Sequence, residues 1–140
     1  MKKILVAIDG SDAALKAVHV ACEIAGAAKA DVTVAHVTTP LPFLASLDQS
    51  NIANIRLREG EWSERVLQEG VEKAREAGVE ATKAFLAGSA AEAIANHASE
   101  KGFDLVVIGS RGRGEVSRTV LGSVSNRLVH ICNKPILIVR

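Results

Sequence analysis

The chain has 140 residues, 48% of them apolar and 24% charged, with a net charge of +1. That is enough for one domain over 1–140 with its own core, and too apolar for a disordered segment. A near-neutral charge gives no field to draw in nucleic acid or an anionic membrane, and no apolar run spans a bilayer.

Three Phe, one Trp and no Tyr leave few rings on which single-stranded bases could stack. The basic start Met1-Lys2-Lys3 leads into an apolar run that Asp9 ends too early for a signal peptide. Cys22 and Cys132 form no C-x-x-C pair, so the expectation is a cytoplasmic protein with reduced thiols.

Lys3 to Ile8 (KILVAI) is apolar on both alternations and reads as a strand buried on both faces. Ser11 caps a helix carrying Ala14, Val18, Ala21 or Cys22, and Ala25 on one face, with Gly26 near its end. Asp31 to Val37 alternates into a second strand. Thr38 to Ser50, with Pro40 and Pro42, reads as a loop, either a lid over a crevice or a plain connector. From about Ile52 to Ala77 the pattern is a long amphipathic helix, weakened at Gly60 and Gly70.

Val79 to Leu86 gives a third strand. Ser89-Ala90-Ala91-Glu92 has capping-box spacing and opens a helix that buries Ile94 and Ala98. Leu105 to Ile108 is a fourth strand, Ser123 to His130 a helix, and Ile136 to Val139 a last strand. Alternating strands and helices predict a three-layer α/β/α fold with a doubly wound, five-stranded parallel sheet. An order of 3-2-1-4-5 puts the crevice between strands one and four, so Asp9 and Gly109 face each other there.

After strand four comes Gly109-Ser110-Arg111-Gly112-Arg113-Gly114, and then Gly122-Ser123-Val124-Ser125. Small residues let main-chain N–H groups approach a phosphate, and a helix N-terminus adds its positive dipole end. A Walker A loop is excluded because Glu115 and Val116 stand where Lys and Ser/Thr belong. The dinucleotide fingerprint fails because the loop follows strand four and not strand one. A phospho-acceptor receiver would use Asp9 and Asp12, but its third strand would have to end in Asp, and here Phe85-Leu86-Ala87 stands.

What remains is G-x2-G-x9-G-S, filled by Gly109, Gly112, Gly122 and Ser123. With ILVAIDGS near the start, AHV in the second strand and the terminal KPILIVR, the whole chain resembles the universal stress protein family, of the type that binds ATP as a homodimer. The resemblance implies adenine near Ala7, Val37 and Ile108, with Asp9 and Gly109 at the adenosine. It puts Gly112, Gly122, Ser123, Val124 and Ser125 along the phosphates, through backbone N–H groups and hydroxyls. Arg111 and Arg113 read either as phosphate partners or as solvated loop charges. Mg2+ or Mn2+ would be held mainly by the phosphates, since no carboxylate pair offers a cage.

His19-x-x-Cys22 and His130-x-Cys132 have poor spacing for zinc, and helix packing explains them; His36 and His97 read as ordinary residues. The strand Ile136–Val139 lies at a sheet edge, to be covered either by the domain's own loops or by its copy in a homodimer, and the resemblance favours the dimer. No nucleophile–base pair, acid–base carboxylate pair or metal triad stands out. The expected function is therefore an ATP-binding stress-response regulator. The alternatives are a nucleotide hydrolase or nucleotidyl transferase on the same fold, or an interaction module that binds no nucleotide.

Overall fold

The computed structural model describes residues 1–40, 46–112 and 121–140. The described elements are β1 (Lys3–Ala7), α1 (Asp12–Ala28), β2 (Asp31–Thr38), α2 (Gln49–Glu76) and β3 (Thr82–Ala87), then α3 (Ala90–Glu100), β4 (Leu105–Gly109), α4 (Ser123–Ile131) and β5 (Ile136–Val139). The strands form one parallel sheet of order β3-β2-β1-β4-β5, as the alternation of the sequence requires.

Alternate residues of the central strands feed two cores. Ile4, Val6 and Ile8 pack with Val18, Cys22, Val66 and Leu67 of α1 and α2, while Leu5 and Ala7 pack with Ile94, Ala98 and Leu128 of α3 and α4. Each large aliphatic side chain removed from water is worth about 1.5–3 kcal/mol, so a strand buried on both faces reads as a continuous apolar run.

Several boundaries differ from the sequence reading. Helix α2 starts at Gln49 because the Asp48 carboxylate accepts the Asn51 N–H at 2.9 Å, a cap hidden in the stretch read as loop. It then runs unbroken through both glycines. Gly60 has open space around it, whereas a Cβ on Gly70 would lie 2.6 Å from Ile8 Cδ1, so Gly70 is where the helix settles onto the sheet. Strand β3 begins at Thr82 and not at Val79, because the Val79 N–H is spent on the Ala74 carbonyl in closing α2. Ser89 stands at the start of α3 as expected, but its side chain makes no capping hydrogen bond. Thr38 belongs to β2, and residues 41–45 of the stretch read as lid or connector lie outside the described residues.

Candidate functional site

The crevice arises where two paired strands part company. Ala7 and Ile108 are in register, but beyond them β1 continues by bonding to β2, with the Ile8 N–H on the Ala35 carbonyl at 2.8 Å. The continuation of β4 turns to the other side, with the Ser110 N–H on the Val139 carbonyl at 2.7 Å. This divergence is the topological switch point of a doubly wound sheet, and it opens a cavity of about 240 Å³.

Its floor on the β1 side is a tight turn. Asp9 Oδ1 accepts the Ser11 N–H at 3.0 Å, and Ser11 Oγ in turn caps α1 by accepting the Ala14 N–H at 3.2 Å. Gly10 has φ +88, and a Cβ there would lie 3.1 Å from the ring of Trp62, so glycine is required twice over.

The β4 side depends on close approaches. A Cβ on Gly109 would stand 3.2 Å from the backbone of Ala13, and one on Gly112 would stand 2.7 Å from Asp9 Oδ2. The first two motif glycines thus bring the loop down onto the start of α1 and onto the Asp9 carboxylate. Gly122, the third, is the N-cap of α4 and donates its N–H to the Ser110 carbonyl at 2.6 Å.

The Asn126 N–H of α4 bonds the Gly122 carbonyl at 2.9 Å. The N–H groups of Ser123, Val124 and Ser125 precede it in the first turn, where helix geometry supplies no carbonyl. They sit at the positive end of the helix dipole. Arg127 donates to Glu92 Oε1 at 3.0 Å, which holds the Glu92 carboxyl below its usual range. That contact bridges α3 and α4, whose first turns reach the cavity at Ala90 and Ser123.

The structure brings the expected residues together. Ala7, Asp9, Val37, Ile108, Gly109, Arg111, Gly112, Gly122, Ser123, Val124 and Ser125 all line the cavity. Arg113 lies outside the described residues. The Ser125 hydroxyl is buried and donates to the Ser110 and Gly122 carbonyls, at 3.0 and 3.1 Å. It has a single proton to give, shared between those two carbonyls.

The walls also include residues the sequence reading passed over: Ile8, Ala14, Ala35, His36, Ala90 and Ile94. Ala35 shares a strand face with Val37, and Ala90 and Ile94 are one turn apart on α3, so both patterns were available. His36, read as ordinary, is nearly buried, and its Nδ1–H donates to the Ile8 carbonyl at 2.8 Å. That bond anchors the ring to the end of β1 through Nδ1.

Among the described residues no group of three His, Cys, Asp or Glu converges as a metal centre. Cys22 packs in the core under α1 and α2, whereas Cys132 packs against the opposite face of the sheet. Among the described residues no helix is long and apolar enough to cross a membrane.

A model described as the universal stress protein family matches residues 1–140. The chain is 37% identical over 145 residues to universal stress protein YxiE of Bacillus subtilis, covering 99% of this chain and 98% of the relative. A crystal structure of a universal stress protein in complex with cAMP is similar at TM-score 0.77 and 26% identity, over 99% of this chain and 97% of that one. UspA from Lactobacillus plantarum shares the fold at TM-score 0.84 and 21% identity, over 99% and 97% of the two chains.

Proposed function

The chain belongs to the universal stress protein family, and from that premise we propose that it binds ATP in the crevice between β1 and β4 and acts as a nucleotide-dependent regulator in the stress response. One observation carries the reading. A single cavity joins apolar walls from Ala35, Val37, Ile94 and Ile108 to the amide-rich start of α4. A base suits the first part, and an anionic tail suits the second.

Asp9 and Arg111 line this cavity, where Asp9 would accept a hydrogen bond from a ribose hydroxyl and Arg111 would add a charge-assisted bond to phosphate. The cAMP complex of a relative at 26% identity supports an adenine nucleotide as the ligand class. Mg2+ or Mn2+ would ride on the phosphate oxygens. Asp9 is the carboxylate in the lining, and its Oδ1 already accepts the Ser11 amide, which does not make a cage.

We favour a binding role over turnover: the titratable groups among the described lining residues are Asp9, His36 and Arg111, and Asp9 and His36 are each held by a main-chain partner, the Ser11 N–H and the Ile8 carbonyl. The reading is of a cytoplasmic protein, in keeping with two free cysteines. We also read β5 as the edge of a homodimer. Its odd-numbered positions face β4, since Pro135 O accepts the Val106 N–H and Val139 O the Ser110 N–H. The main-chain groups of Ile136 and Ile138 therefore face outward, available to a second copy. In sedimentation equilibrium Ile138→Pro, which deletes one outward donor, is expected to run as a monomer.

The nucleotide reading is tested by calorimetric titration with ATP, ADP and cAMP, and by extracting nucleotide from the purified, denatured protein. Micromolar binding of ATP that disappears in Gly122→Leu, with the oligomeric state unchanged, supports it. Failure of the wild-type chain to bind any of the three overturns it.

A further inference from the structure

Ser110 is anchored to the sheet by its N–H, which bonds the Val139 carbonyl of β5 at 2.7 Å. Its carbonyl has two lone pairs, and both are taken by donors from the start of α4: the Gly122 N–H at 2.6 Å and the Ser125 hydroxyl at 3.0 Å. Ser110 is 4% exposed and Ser125 2%, so water does not compete for either bond. Gly122 brings no side chain to cap α4.

From this we infer that the Ser125 side chain has a positioning role: its hydroxyl ties the first turn of α4 to the sheet and so aims the main chain of that turn at the phosphates, without the hydroxyl itself touching the nucleotide. The inference rests on the nucleotide reading above. Its chemistry is specific, because a hydroxyl whose proton is spent on carbonyls shows an approaching phosphate only lone pairs. The tie can also be cut cleanly. In Ser125→Ala the Ser110 carbonyl keeps the Gly122 N–H, and the Gly122 carbonyl keeps the Asn126 N–H, so no buried group is orphaned.

The test pairs ATP with adenosine, which lacks phosphate, on wild type, Ser125→Ala and Ser125→Thr. Amide hydrogen exchange is followed by NMR in the nucleotide-free protein. Ser125→Ala is expected to bind ATP about fivefold more weakly, the worth of one modest hydrogen bond, and adenosine as well as wild type does. The Gly122 amide should exchange faster before any nucleotide is added, and Ser125→Thr should restore both values. Weaker ATP binding with unchanged Gly122 exchange would make the Ser125 hydroxyl a direct ligand and overturn its positioning role. Unchanged ATP affinity in Ser125→Ala would overturn it as well. Wild type binding neither compound defeats the nucleotide reading itself, a result distinct from the other two.

Discussion

The paired strands β1 and β4 end in opposite ways. At their N-terminal end the molecule closes on itself: Asp104 Oδ2 accepts the N–H groups of Lys2 and Lys3 at 2.7 and 3.0 Å. Lys2 O and Lys3 O take the amides of Asp31 and Asp104, both at 2.8 Å. The Lys3 ammonium donates to the Lys101 carbonyl and stands 4.6 Å from the centre of the Phe103 ring. At the C-terminal end the main chains diverge, glycines replace side chains, and the first-turn amides of α4 border a cavity. At one end the exposed Asp104 carboxylate meets main-chain donors; at the other, the first turn of α4 borders the cavity. Stability and ligand affinity should therefore separate between the two ends.

The largest break should come from Gly109→Val. Its new Cβ would meet the Ala13 backbone at 3.2 Å, and backbone cannot swing aside as a flexible side chain can. Overpacking of this kind costs about 2 kcal/mol, so the urea midpoint should fall and ATP binding should vanish with it. Gly112→Ala is the sharper cut. Its methyl would stand 2.7 Å from Asp9 Oδ2, so the carboxylate must shift. ATP affinity should drop about tenfold while stability changes by under about 1 kcal/mol, as usual for a site with room to relax. Equal losses in both quantities would mean that the open end is ordinary scaffold.

The two ends also differ in how plainly the sequence declares them. Strand order and crevice are legible because KILVAI and LVVI can be buried only in a parallel sheet with two covered faces. Gly109, Gly112 and Gly122 are legible because their spacing is long and fixed. The role of Ser125 is not, since its hydroxyl chooses between a ligand and a carbonyl 15 positions back, a choice made by tertiary placement. Gly70 misleads for a related reason: propensity counts it against the helix, while the proximity of Ile8 makes its missing side chain necessary. The start of α2 at Gln49 was lost among prolines, because one Asp48 cap weighs little against a loop-like composition. At the closed end nothing in the sequence marks Asp104 as the partner of Lys2 and Lys3, about a hundred positions away.

The smallest effect expected is a matter of pH. Main-chain N–H bonds from Lys2 and Lys3 hold the Asp104 carboxyl below its usual range. A carboxyl depressed in the folded state adds stability that is fully present above its unfolded pKa and is lost as pH falls toward the folded value. Unfolding by urea in the absence of nucleotide should therefore steepen in its pH dependence between about pH 5 and pH 2, where carboxylates protonate. Asp104→Asn should flatten part of that limb and leave ATP affinity at pH 7 unchanged, because the site it tests lies at the far end of the strands. Arg127→Met should flatten a further part, since Arg127 is what holds Glu92 low beside the cavity. If Asp104→Asn weakened ATP binding as much as Gly112→Ala, the two ends would be one cooperative unit, and the division between a closed and an open end would fail.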